Sequence, residues 1–148
     1  MQRRRDRETR RLRRRLAPFL SVDRPPSRAA QLIVLASGVL FTLVALALLF
    51  APRWFFDNIG TFPPYNRHYE GDLGAFLLPL GVGLLYAARN PPKYRGVIGV
   101  AAVGSALHVL NHIFDGVTQA FTLEHWLTDT LPLVVAALLL SVAWRRAK

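Results

Sequence analysis

The stretch from Ala29 to Pro52 carries no charged residue and is built mainly from Leu, Val and Ala. At 1.5 Å per residue a helix of that length crosses a hydrocarbon layer of about 30 Å. Lipid offers no partner to backbone N–H and C=O groups, so such a segment must be helical. The remainder of the chain then has to be placed around a membrane. Three more apolar runs follow, Leu73–Ala88, Gly96–Phe114 and Leu131–Trp144. The first and last of these are short, but each extends on one side, back to about Tyr65 and to Leu123, where Thr122 is a suitable N-cap. The expected fold is all-α: a bundle of four transmembrane helices at about 29–51, 65–88, 94–114 and 123–144, behind an Arg-rich tail at 1–28.

Lys and Arg set the orientation. Eleven Arg lie in the tail, three basic residues lie between Arg89 and Arg95, and Arg145, Arg146 and Lys148 close the chain, whereas the other two loops hold only Arg53 and Arg67. The positive-inside rule places both termini and the middle loop in the cytoplasm of a multi-pass cell-membrane protein. The net charge of +10 is therefore sorted by side rather than gathered on a folded module, which argues against nucleic acid as a partner. In the tail, Leu12, Leu16, Phe19 and Leu20 recur at helical spacing among arginines. The tail reads either as a disordered topology signal or as a short amphipathic helix on anionic lipid headgroups. The first span has too long an apolar core and too poor a cleavage site for a signal peptide. With no Cys in the chain, thiolate ligands and nucleophiles are absent.

Ionisable groups beside lipid are costly and carry a functional hypothesis by default. On the third span Ala101, Gly104, Ser105, His108, Asn111, His112 and Asp115 share one face, with the polar members toward the outer end. On the second, His68, Asp72, Phe76, Pro79 and Gly83 do the same. Pro79 and Pro132 are expected to kink their helices and open a wedge at the outer leaflet. His108 and His112, at i and i+4, can hold one metal ion, with His68 and Asp72 completing the sphere and Asn111 or Asp115 orienting a ring. The same pair can also handle protons or bind a ligand, or simply hydrogen-bond between helices. His125 and Asp129 form another i, i+4 pair at the start of the fourth span. Asp115-Gly116 reads as a helix stop. The aromatic residues Trp54, Trp126, Trp144, Tyr65, Tyr69, Tyr86 and Tyr94 read as interfacial anchors. Gly81, Gly83, Gly96, Gly99 and Gly104 read as packing sites, since they match no phosphate loop, and no serine nucleophile elbow is present.

The segment Tyr65 to Gly74, followed by His108-Val109-Leu110-Asn111-His112, resembles a group of small uncharacterised bacterial membrane proteins with N-x-H-x3-D-x-G and H-x3-H motifs. The layout of residues 30 to 144 is more loosely similar to DoxX-like proteins. The resemblance implies a shared site built by Asn66, His68, Asp72, His108 and His112, and no particular reaction.

Three functions follow from these readings. The first is a zinc, iron, copper or haem site with a redox or metal-handling role, because imidazole and carboxylate without thiolate suit those ions. The second is an accessory or scaffold subunit whose polar stripe joins a membrane partner or a second copy. The third is a lipid, prenyl or quinone-handling enzyme using His and Asp as acid and base.

Overall fold

The structure is a computed structural model and describes residues 27–148. The readings of the tail lie outside the described residues. Five helices follow in order: α1 Arg28–Phe50, α2 Pro52–Asn58, α3 Arg67–Ala87, α4 Arg95–Thr118 and α5 Leu123–Arg146. All but α2 are long and apolar enough to cross a membrane, and only 22–28% of each apolar window is buried within the protein. The exposed remainder, including Leu32, Leu43, Phe76, Leu107 and Leu138, is the surface a bilayer would cover. Because successive spans alternate in direction, Arg28, Arg89, Lys93, Arg95 and Arg145 gather at one end, the basic end. The four histidines lie toward the other, the histidine end.

α1 and α3 pack along their length because glycines remove the side chains between them. A Cβ on Gly81 would lie 2.7 Å from the Thr42 amide nitrogen, and one on Gly38 would lie 2.7 Å from that of Leu85. Gly74 repeats this against Ala45 and Leu48, so the contact runs at spacings of three and four residues. α4 and α5 form the second close pair, with Trp144 resting on Gly99. The shared core of Val34, Leu84, Ile98, Ala101 and Leu140 lies toward the basic end. Gly96 and Gly104 differ from the other glycines: nothing among the described residues lies within 4 Å of the space their Cβ atoms would occupy, so neither is a packing site among those residues.

The helix ends explain where the spans depart from their expected bounds. Asn66 caps α3 by accepting from the N–H groups of His68 and Tyr69 at 3.0 and 3.3 Å. Thr122 caps α5 as its sequence position suggests, accepting from the His125 N–H at 3.3 Å. Asp115-Gly116 does not stop α4, which runs on to Thr118. Gly116 is there to admit the Trp126 ring, which occupies the space of its missing side chain. The helix ends instead at Ala120, whose φ of 53° is the left-handed conformation usually given to glycine, with Phe121 N–H donating to Gly116 O at 3.0 Å. Ala120→Gly is therefore expected to stabilise the protein by about 1 kcal/mol, measured by unfolding in detergent.

The two prolines act differently. α3 passes through Pro79 without a break. Pro132 has no N–H to donate to Thr128, and there the backbone widens into a π-helical turn, Trp126–Thr130, closed by Leu131 N–H donating to Trp126 O. Asp129 sits within that turn. Outside the spans, Arg53 donates to Asp57 at 2.8 Å across α2, which holds the guanidinium pKa above its ordinary value.

Candidate functional site

The polar groups that meet are those of α4 and α5. His108 and His112, one turn apart, turn their Nε2 atoms toward each other at 3.1 Å. His112 is buried, 8% exposed, and its Nδ1 lies 3.1 Å from Asp129 Oδ2. The same oxygen lies 3.2 Å from His125 Nε2. Four side chains thus form one chain of contacts, His108 to His112 to Asp129 to His125. The π turn before Pro132 places the carboxylate between the two rings that flank it.

Donor and acceptor counting selects one arrangement of protons. A neutral imidazole has one N–H and one lone pair. If His112 carries its proton on Nδ1, facing the carboxylate, its Nε2 lone pair accepts from His108 Nε2–H. His125 then gives Nε2–H to the same carboxylate. The reverse tautomer would aim a lone pair at an anion. The contacts on Asp129 Oδ2 are close but not collinear with the ring N–H directions, so His112 Nδ1, His125 Nε2 and Asp129 Oδ2 are buried without an aligned partner. Such bonds commonly tighten when a ligand closes the site.

Two phenylalanines cover the network. Phe62, from the loop before α3, meets the rings of His112 and His125 edge-on at 5.8 and 5.5 Å, and Phe121 lies 4.0 Å from His125. Beside them a cavity of about 320 Å³ is lined by Asn58, Ile59, Thr61, His125, Thr128 and Asp129. The network therefore has one polar mouth, at His125 and Asp129. Its other terminus, His108, is exposed on α4.

Exposed polar stripes of α3 and α4 lie on that side. The stripe of α3 that carries Gly83 also carries Phe76, Asp72 and His68, and the stripe of α4 that carries Val97 also carries Gly104, His108 and Asn111. At the basic end a Cβ on Gly83 would lie 3.2 Å from Val97. Farther along, His68, Asp72, Phe76, His108 and Asn111 are all exposed, and Gly104 has no neighbour. The two helices thus touch at the basic end, and toward the histidine end both stripes are exposed.

Residues expected to act together are divided between these places. His68 and Asp72 contact each other at 3.4 Å on the exposed face of α3. The structure records no contact from either to His108 or His112. Their helix uses its glycine face to pack on α1, and the polar stripe lies on another side. Asn66 is a helix cap, and Asp115 accepts from Asn111 at 3.0 Å rather than orienting a ring. Among the described residues no three of His, Asp and Glu gather in a group that could hold a metal ion. The ligand set of His68, Asp72, His108 and His112 is not assembled, and the metal-binding expectation gains no support. His125 and Asp129 are instead central. Phe62 and Phe121 carry no signal in the sequence that ties them to histidines.

Fold and site define a small multi-pass membrane protein with a partly buried histidine–carboxylate network between its last two spans. The chain belongs to a family of unknown function, DUF6632, which matches residues 25–148. This agrees with the likeness to small uncharacterised membrane proteins and adds nothing to the DoxX-like one. No curated protein and no solved structure matches the chain.

Proposed function

We propose that this is a lipid-handling membrane protein whose His108–His112–Asp129–His125 network exchanges protons with an amphiphile bound against the exposed stripes of α3 and α4. A quinone or quinol is the form of ligand meant, because its head group takes up two protons when a membrane reductase supplies two electrons and releases them when an oxidase removes those electrons, while its tail stays in lipid. The proposal includes the cell membrane as location, with the basic end in the cytoplasm and the network near the outer surface.

The observation that carries the reading is the unbroken run of close contacts from an exposed ring through a buried one to a half-buried carboxylate. Chains of His and Asp within membrane spans are a recurrent device for moving protons. His108 would meet the ligand, His112 would pass the proton, and Asp129 would hold His112 in the required tautomer and stabilise its charged form. The cavity at His125 and Asp129 would give the far end access to water.

The test uses the protein in vesicles with a photoreactive quinone and a photoreactive phosphatidylcholine of matched tail. The quinone should label the wall around Phe76 and His108 preferentially, and His108→Ala should reduce that labelling several-fold. Equal labelling by both probes, or labelling confined to other faces, overturns the reading.

A further inference from the structure

At the basic end a second concavity lies between α4 and α5, far from the histidines. It has a volume of about 470 Å³ and is lined by Arg95, Gly96, Gly99, Val100, Val103 and Trp144. Its floor is apolar because two glycines withhold side chains, and for different reasons. Gly99 makes room for Trp144, whose indole nitrogen would lie 2.8 Å from a Cβ there. Gly96 makes room for nothing among the described residues, none of which has an atom within 4 Å of its missing Cβ.

One cation is fixed at the mouth. Arg95 donates through Nε to the Trp144 carbonyl at 3.2 Å, and its guanidinium lies 5.0 Å from the Trp144 ring centre. That bond uses one of the five N–H groups of the guanidinium and leaves its fork for an oxygen anion. The amides of Arg95 and Gly96 open α4, where the first N–H groups of a helix have no acceptor within it and favour negative charge. Arg145 and Arg146 end α5 at the same level and add to the field. The groove is thus apolar in depth and cationic at its rim, as an acyl chain attached to an anionic head requires.

From this charge complementarity we infer that the groove binds one anionic phospholipid, its chain along Gly96, Val100 and Val103 and its phosphate at Arg95. The inference does not depend on the histidine network or on any reaction there. It concerns the leaflet at the opposite end of the bundle.

Delipidated full-length protein supplied with phosphatidylglycerol or phosphatidylcholine of identical chains, observed by native mass spectrometry, tests it. Wild-type protein should retain one phosphatidylglycerol in preference to phosphatidylcholine. Arg95→Gln should weaken that binding by about fivefold, the factor one interfacial cation confers. Gly96→Leu, which fills the groove from a position with free space, should abolish the preference. Arg146→Gln, a charge outside the groove, should leave most of it. Equal binding of the two lipids, an Arg146→Gln loss as large as that of Arg95→Gln, or undiminished selectivity in Gly96→Leu would each overturn the assignment.

Discussion

Asp129→Asn is expected to slow proton exchange at the ligand by on the order of 10²-fold while leaving ligand binding unchanged, the scale on which a positioned acid or base acts. The substitution keeps the volume of the side chain but removes the charge that lies 3.1 Å from His112 Nδ1 and 3.2 Å from His125 Nε2. An amide at that place would offer a donor to one ring as readily as an acceptor. His112 would then lose the preference that leaves its Nε2 lone pair facing His108. A convenient readout is the rate at which an alkylated nitrophenol, bound beside His108, follows a rapid pH change in vesicles. His108→Phe should produce a loss of similar size, because it removes the group that meets the ligand. Unchanged rates in Asp129→Asn, with binding intact, would reduce the carboxylate to a joint between helices. Its expected worth there is modest, about 0.6 kcal/mol for an average interhelical contact in a membrane.

The second large effect concerns the fold itself. Gly81→Leu should destabilise the protein by about 3 kcal/mol, the upper part of the range for overpacking. Its Cβ alone would lie 2.7 Å from the Thr42 backbone nitrogen, and backbone cannot step aside as the end of a flexible side chain can. α1 and α3 would have to separate along a contact that also depends on Gly38 and Gly74. Gly104→Leu makes the same chemical change where nothing among the described residues lies within 4 Å, and its effect should be the small gain, under about 1 kcal/mol, of exchanging a helical glycine for leucine. Unfolding in detergent compares the two directly. Equal stability of both variants would mean that the glycine contact between α1 and α3 does not hold the bundle together.

What could be read from residue order follows from what the bilayer dictates. Four apolar runs, their lengths and the cap at Thr122 depend on local chemistry, and the structure places helices there, whereas Asn66, expected in the site, is a cap that only the structure shows. Pro132 is also legible as a disturbance at Thr128, although only the coordinates give it the form of a π turn around Asp129. Helix pairing was not legible. His68, Asp72, His108 and His112 have equal claims as periodic polar residues, and periodicity says which residues share a face without saying what that face meets. The choice was made by glycines: Gly74 and Gly81 commit α3 to α1, while Gly99 and Gly116 admit Trp144 and Trp126 and commit α4 to α5. Gly116 has two possible meanings in the sequence, a stop or a seat, and only the Trp126 ring decides between them. The aromatic cover was invisible for a related reason. Phe62 reaches His112 from 50 positions away through a loop whose course no local pattern sets.

The central claim is that His108, His112 and Asp129 form one ordered relay, and it fixes where each proton resides. Solid-state nuclear magnetic resonance on protein with isotopically labelled histidine nitrogens, held in lipid bilayers, reads this directly. The account requires His108 protonated on Nε2, His112 protonated on Nδ1, and a nitrogen–nitrogen coupling across the 3.1 Å contact between their Nε2 atoms. Absence of that coupling, with both rings in the same tautomer or exchanging freely with water, would contradict it.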